Sequence, residues 1–130
     1  MAEAVDIKAA LALLPTLHGR TPETPDDEAA KSFATLARFG DGAVFVGSFD
    51  GNSEWERHRQ GDELVQVLDG ETELTLLTDD GEQTMTLKAG MLIVVPRGCW
   101  HRFEAPNGVT PMTVTPLPTD HSTAEDPRDT

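Results

Sequence analysis

The sequence predicts an all-β protein, a single small barrel that carries a short helix at its N-terminus. From residue 32 onward, short runs of strand-forming residues alternate with glycine, proline and aspartate turns. Many short strands at regular spacing are typical of an all-β sandwich or barrel, and they argue against a βαβ fold. The chain has 130 residues, which is enough for one hydrophobic core.

The chain divides into three segments. Residues 1–30 hold a helix over 6–14, where apolar side chains recur at helical spacing, followed by an acidic, proline-rich linker. Residues 31–116 form the barrel. Residues 117–130 are polar and proline-rich, and we expect them to be a mobile tail.

Within the barrel, the alternation of side chains and the turn residues between them set the expected strands. The strands are expected at 32–39, 43–49, 54–58, 64–68, 72–77, 83–87, 91–95, 101–103 and 110–115. The dipeptide Asp69-Gly70 and the run Asp79-Asp80-Gly81 are strong signals for tight turns.

Composition excludes several classes of function. The chain has 10 basic and 23 acidic side chains, a formal charge of −13, so it repels nucleic acids and anionic membrane surfaces. No apolar run has membrane-spanning length, and the N-terminus lacks the basic start of a signal peptide. The single Cys99 cannot form an internal disulfide and fits a reducing compartment. We therefore expect a cytoplasmic protein whose partner is a small molecule.

Two blocks of the sequence carry side chains suited to a metal ion. In the first block, Glu56 and His58 stand two apart on a strand and project from the same face, and Glu63 follows after a bend. In the second, the turn residues after strand 91–95 present His101. Two imidazoles and one or two carboxylates suit divalent iron, manganese, nickel or zinc. Spacing alone also allows an ordinary solvated strand face.

The two blocks resemble the paired motifs of the cupin superfamily. The first cupin motif places His-x-His, then three or four residues, Glu, six residues and Gly. The chain matches this motif at His58, Glu63 and Gly70. The second places Gly, five residues, Pro-x-Gly, two residues, His, three residues and Asn. The chain matches this one at Gly90, Pro96, Gly98 and His101. The likeness is to small single-domain, cupin 2-like proteins.

The chain also departs from these motifs. Glu56 stands where the leading histidine is expected, Ala105 stands where the asparagine is expected, and Gly51 lies one residue closer than in the pattern. The resemblance implies a barrel of the jelly-roll type, also called a double-stranded β-helix, with ligands inside the barrel. It also implies a homodimer.

Glu56 leaves three interpretations open. It is a fourth metal ligand beside His58, Glu63 and His101, or it stays off the metal and leaves a 2-His-1-carboxylate triad. In the third interpretation the metal is lost, and Glu56 is a general acid or base beside His58.

Function is expected to follow this site. The leading hypothesis is a metal-dependent enzyme that acts on a small molecule, with dioxygenase chemistry first and isomerase or lyase chemistry second. The alternatives are a barrel that binds or senses a small ligand without turnover, and a structural protein whose site has decayed. An open, polar cavity at the site favours the enzyme, whereas a cavity filled by Met, Phe and Leu side chains favours decay.

Overall fold

The computed structural model describes residues 2–129, and most of them lie in β-strands. The elements in chain order are α1 (Ile7–Ala12), β1 (Leu17–Arg20), α2 (Asp26–Ala29), a 3-10 turn (Ala30–Ser32), β2 (Phe33–Phe39), β3 (Gly42–Gly47), β4 (Phe49–Asn52), β5 (Trp55–Arg57), β6 (Glu63–Thr78), β7 (Gly81–Lys88), β8 (Leu92–Val95), β9 (His101–Pro116), β10 (Asp120–Ser122) and a second 3-10 turn (Pro127–Asp129). The predicted all-β class is confirmed.

The strands form two packed layers, and two long antiparallel strands, β6 and β9, run through both of them. One layer contains β7, the second half of β6, the first half of β9, β4 with β1, and β5 with β10. The other contains β8, the first half of β6, the second half of β9, β3 and β2. This arrangement is a jelly roll, and it agrees with the predicted cupin-type fold.

The hydrophobic core lies between the two layers. Its buried members come from both layers: Leu17, Phe49, Val65, Val67, Leu74, Leu76, Leu87, Val95, Phe103, Ala105 and Val109. Burial of these aliphatic and aromatic side chains supplies the main driving force for folding, about 1.5–3 kcal/mol for each large side chain. A smaller cluster of Trp55, Leu77 and Trp100 lies apart from this core.

Gly70 allows β6 to bend from one layer into the other. Its φ of +75° is unfavourable for residues with a side chain, and a Cβ there would overlap the carbonyl oxygen of Gly108 on β9. The register of β6 against β9 shifts on either side of Gly70. The predicted turn at Asp69-Gly70 is therefore a bend within one strand. The predicted strands 64–68 and 72–77 are therefore parts of one strand, β6. The predicted strands 101–103 and 110–115 are likewise parts of one strand, β9.

The predicted linker is more ordered than its sequence suggests. It contains β1, which pairs in parallel with β4, and the short helix α2. The expected helix α1 begins at its predicted cap, where Asp6 Oδ1 accepts a hydrogen bond of 3.0 Å from the Ala9 amide. Within residues 2–129 the structure has no helix with the length and apolar character needed to cross a bilayer.

The C-terminal segment differs from the predicted mobile tail. Its residues Asp120–Ser122 form β10, which pairs antiparallel with β5. Asp120 accepts a hydrogen bond of 2.9 Å from Arg57 Nε and lies 2.7 Å from Arg59 Nε. Further on, Arg128 Nη1 donates to the Thr78 carbonyl at 3.0 Å. Polar side chains of this segment are therefore paired with residues of the barrel. Composition alone does not indicate such pairing.

Candidate metal centre

Three of the predicted ligands converge in the interior. His58 directly follows β5, Glu63 is the first residue of β6 and His101 is the first residue of β9. Their exposed fractions are 3%, 5% and 0%. Glu63 Oε2 lies 3.2 Å from His58 Nε2, and Glu63 Oε1 lies 3.0 Å from His101 Nε2. One ligand atom from each residue lies within 4.8 Å of the other two.

Turns from the two motifs hold these residues together. The Gly98 amide donates a hydrogen bond of 2.9 Å to the His58 carbonyl, and the Arg97 amide donates one of 2.8 Å to Asp62 Oδ1. Gly98 has a φ of +76°, a conformation that glycine adopts without strain. The Pro-x-Gly turn of the second motif therefore fixes the loop of the first motif, as well as leading to His101.

The outer nitrogen of each imidazole is held by the protein. His101 Nδ1 lies 3.0 Å from the Cys99 carbonyl, and His58 Nδ1 lies 3.0 Å from the Thr119 hydroxyl. Because a carbonyl only accepts hydrogen bonds, the Nδ1 of His101 carries the proton. In its neutral form, this tautomer presents an Nε2 lone pair to the interior. A second partner that fixes ring orientation in this way is typical of metal-binding histidines.

The inward-facing atoms lack hydrogen-bond partners. His58 Nε2, His101 Nε2 and Glu63 Oε1 are buried, and none makes a hydrogen bond of acceptable geometry in the described structure. The other carboxylate oxygen, Glu63 Oε2, accepts a hydrogen bond of 2.7 Å from Thr115 Oγ1. Buried polar atoms without partners are costly. Three of them facing one point form a suitable donor set for a divalent cation.

The electrostatics of the cluster favour a charged carboxylate. Burial alone would raise the pKa of Glu63, but the neighbouring imidazoles of His101 and His58 outweigh it and lower that pKa to about 2. Burial would lower the pKa of His101, yet the Glu63 carboxylate beside it raises that pKa above its ordinary value. Glu63 is therefore ionised, as a metal ligand must be.

Glu56 lies beside this cluster but is not gathered into it. It pairs with His101 across β5 and β9, so both side chains leave the same face of the sheet. Its carboxylate lines the adjoining cavity, and Oε1 lies 4.0 Å from Arg20 Nη2. Among the described residues, the buried group of close ligand atoms consists of His58, Glu63 and His101 and does not include Glu56.

A cavity of about 330 Å³ opens beside the cluster, and His58 and Glu63 are among the residues that line it. Its apolar wall includes four phenylalanine rings: Phe33, Phe45, Phe49 and Phe103. Its polar side chains include Arg20, Glu56, Thr113 and Thr119. Glu54 and His121 also line the cavity and lie 2.7 Å from each other. The cavity is not filled by core side chains, which argues against a decayed site.

Three residues around the site were not predicted from the sequence. Arg20 belongs to the segment predicted as a linker, and Thr119 to the predicted tail, so neither showed a signal. Thr115 alternates with Thr113 along β9, and their hydroxyls lie 2.8 Å apart. This polar pair on one strand face was a readable signal. Two arginines next to the motif residues lie over tryptophan rings, Arg57 over Trp100 and Arg102 over Trp55.

Comparisons with known proteins place this geometry in a family. The family model described as Cupin domain (Cupin_2) matches residues 49–117. The uncharacterized protein YdbB of Bacillus subtilis (strain 168) is 32% identical over 71 residues. This match covers 55% of the chain, and the chain spans only 60% of the length of that relative.

Solved structures agree with this placement. A cupin-2 domain containing protein from Shewanella frigidimarina NCIMB 400 is similar with a TM-score of 0.57 and 27% identity, over 66% of this chain and 80% of that one. Hydroquinone 1,2-dioxygenase PnpCD, in complex with Cd²⁺ and 4-hydroxybenzonitrile, is similar in fold. Its TM-score is 0.55 at 22% identity, over 65% of this chain and 63% of that one. The chain thus belongs to the Cupin domain (Cupin_2) family.

Proposed function

We propose that the protein is a metal-dependent enzyme that acts on a small molecule bound in the cavity. The observation that carries this proposal is the set of buried, unpartnered atoms of His58, Glu63 and His101 that face one point beside an open cavity. In this proposal these residues hold one divalent ion of iron, manganese, nickel or zinc. Such an ion would act as a Lewis acid with open coordination positions, and iron would also supply redox chemistry.

The protein side chains do the rest of the work at this site. Thr115, which donates to Glu63, and Thr119, which contacts His58, keep the ligands in position. We assign Glu56 the role of general acid or base, because its carboxylate lines the cavity on the same sheet face as His101. A role for Glu56 as a fourth ligand would need its side chain to turn toward the other three.

Dioxygenase chemistry comes first among the reactions. Two histidines and one carboxylate with open positions are the ligand set of non-haem iron enzymes that use dioxygen. One relative in fold carries the name hydroquinone 1,2-dioxygenase, and its structure contains a metal ion and a phenolic nitrile. Isomerase or lyase chemistry at the same ion comes second, because one fold supports many reactions.

The alternative is a barrel that binds a small ligand without turnover. The same cavity and the same three predicted ligands support this alternative. Only the detection of a reaction distinguishes the enzyme from the binding barrel. We would load the protein anaerobically with Fe(II) and measure dioxygen uptake with a panel of dihydroxybenzenes and small carboxylates. The enzyme is supported if dioxygen uptake is faster than with free iron and is absent in the variant with His58→Ala and His101→Ala. Tight binding of a panel member without uptake or product favours the alternative.

Thr119 provides a test of the metal site that leaves its ligands intact. Thr119→Val removes the hydroxyl that contacts His58 Nδ1 at 3.0 Å and keeps the side-chain shape. Loss of such an outer partner typically lowers metal affinity about 10–100-fold. We expect a loss in this range in a competition titration of zinc against a fluorescent chelator. Thr123→Val, at an exposed position nearby, is the matched control and should bind as wild type does.

We also propose a cytoplasmic homodimer. Ile93 and Val95 of β8 pack toward the core, so Leu92 and Val94 face outward and are 56% and 49% exposed. Val94 lies opposite Leu64 on β6, and Leu64 lies opposite Val114 on β9, so this row of side chains is apolar. An apolar sheet face of this kind suits a protein interface. The single, unpaired Cys99 supports the proposed compartment, because it fits a reducing environment.

The dimer is tested by sedimentation velocity. We expect wild-type protein to sediment as a dimer and the variant with Leu92→Glu and Val94→Glu as a monomer, because charges would be buried at the interface. Leu13→Glu changes a side chain at the C-terminal end of α1 that is 87% exposed, and it should not alter the sedimenting mass. A monomeric wild-type protein would rule out the dimer.

A further inference from the structure

Strand β10 and the residues just before it form one wall of the cavity. Leu117, Thr119 and His121 line the cavity from this segment. The hydroxyl of Thr119 lies 3.0 Å from Nδ1 of His58, and Nδ1 of His121 lies 2.7 Å from Oε1 of Glu54. The segment therefore contacts one predicted metal ligand and one carboxylate of the cavity wall.

Backbone pairing alone holds this segment weakly. Within the described part of the chain, β10 has three residues and pairs only with β5, where Asp120 lies opposite Arg57. None of its residues is fully buried. A polar strand without a buried face specifies its register weakly, and a slip of one residue turns every side chain to the opposite face. A further contact is therefore needed to keep Thr119 and His121 on the cavity side.

Asp120 supplies such a contact. Its Oδ2 accepts a hydrogen bond of 2.9 Å from Arg57 Nε and lies 2.7 Å from Arg59 Nε, and its Oδ1 accepts one of 3.2 Å from Arg59 Nη2. The hydrogen bond from Arg57, together with Arg59, lowers the pKa of Asp120 below its ordinary value, so this carboxylate is charged. Arg57 is itself held, because its guanidinium lies 4.6 Å from the centroid of the Trp100 ring.

These ion pairs lie next to a predicted metal ligand in both segments. Arg57 and Arg59 are the two sequence neighbours of His58, and Asp120 directly follows Thr119. His58 and Thr119 line the cavity, while the three charged side chains meet outside it. The ionic contact on the outside is thus one residue away, along each segment, from the contact on the inside.

We propose that Asp120 is a positioning residue for the metal ligand His58. Its ion pairs with the two arginines fix the register of β10, and this register places the Thr119 hydroxyl against His58 Nδ1. A histidine that binds a metal through Nε2 carries its proton on Nδ1, and a fixed partner for that proton orients the ring. This inference rests on the proposed function, because it treats His58 as a ligand of a metal ion.

The test is a double-mutant cycle on zinc affinity. Zinc is titrated against a fluorescent chelator in wild type, Thr119→Val, Asp120→Ala and the variant with both changes. We expect Asp120→Ala to weaken zinc binding about 3–10-fold, less than the loss of about 10–100-fold expected when the outer partner itself is removed. In the Thr119→Val background the same change should cost little, because the hydroxyl that Asp120 positions is already missing.

Asp126→Ala is the matched control. Asp126 belongs to the same C-terminal segment and also pairs with an arginine, Arg128, at 2.8 Å. That arginine donates to the Thr78 carbonyl, on another part of the barrel, so the change should leave the zinc affinity at its wild-type value. Circular dichroism shows first that each variant is folded. Should Asp120→Ala not fold, Asp120→Asn takes its place in the cycle, since it keeps the size of the side chain and loses the charge.

NMR of the histidine rings adds a measurement that needs no metal. In metal-free protein, a long-range proton–nitrogen correlation spectrum reports the ring nitrogens of each histidine. Asp120→Ala should shift the ring signals of His58 in the same direction as Thr119→Val does. The signals of His101 should stay largely unchanged, because its Nδ1 lies 3.0 Å from the Cys99 carbonyl instead.

The inference is overturned if Asp120→Ala binds zinc as wild type does, if its cost is the same with and without the Thr119 hydroxyl, or if Asp126→Ala costs as much. Its failure is distinguishable from failure of the proposed function. Unchanged zinc affinity and unchanged His58 signals in Asp120→Ala leave the metal centre standing and reject the role of Asp120. Shifted His58 signals in a protein that binds no zinc support the placement of Thr119 by Asp120 and reject the metal-dependent enzyme. Neither zinc binding nor a shift rejects both.

Discussion

Purified wild-type protein is expected to hold about one divalent ion per chain, and the variant with His58→Ala and His101→Ala to hold none. The double change removes both imidazoles that face Glu63, at 3.2 and 3.0 Å. Loss of an outer partner alone costs about 10–100-fold in metal affinity, so loss of two ligands should cost more than 100-fold. Elemental analysis of untagged protein gives the result.

His18→Ala is the control for this experiment. His18 is exposed and lies 2.6 Å from Asp50, apart from the buried cluster, so its loss should leave the metal content unchanged. Wild-type protein without metal, even after reconstitution with iron, manganese, nickel and zinc, would contradict the proposal. In that case the unpartnered atoms of the cluster would need another explanation, and Glu56 acid–base chemistry or ligand binding would remain.

Gly51→Ala is expected to destabilise the protein strongly. Gly51 has a φ of +104°, and a Cβ there would overlap the backbone of Arg20. Backbone strain of this kind costs about 1–3 kcal/mol. The overlap adds to it, because β1 must move away from β4. Urea unfolding, followed by circular dichroism, measures the loss of free energy of unfolding.

Two other glycines separate strain from overlap. Gly90 has a φ of +89° with open space around it, so Gly90→Ala should show the strain alone. Gly61 has neither a positive φ nor a close neighbour, the nearest atoms being those of Pro116 at 3.7 Å, and Gly61→Ala should change little. Equal losses in Gly51→Ala and Gly90→Ala would mean that β1 does not need its close approach to β4.

The fold and the candidate metal cluster could be predicted because their signals are local. A strand side chain every second residue, with glycine and proline at the turns, indicates the barrel. His58 and Glu63 lie close in sequence, and Pro96 and Gly98 indicate the turn before His101. The structure brings all three ligands together, although the identity of any bound ion stays a prediction.

The rest depends on contacts that link distant parts of the chain. Arg20 enters the cavity only because β1 pairs with β4, and Thr119 reaches His58 only because β10 pairs with β5. Neither pairing leaves a periodic pattern in a short, polar, proline-containing segment. The bend at Gly70 has the same residues as a hairpin turn, and only the pairing with β9 distinguishes the two. Whether Glu56 is a ligand depends on one side-chain rotation.

The route through both layers taken by β6 and β9 bears on the kinetics of folding. Glu63 and His101 meet only after these two strands have paired along their length, which requires closure of a long loop. We therefore expect the ligand cluster to assemble late, after the rate-limiting step of folding. Contacts that form after the barrier slow unfolding and leave the folding rate almost unchanged. An ion held by this cluster would slow unfolding and so lengthen the lifetime of the native state, while the rate of folding would stay almost unchanged.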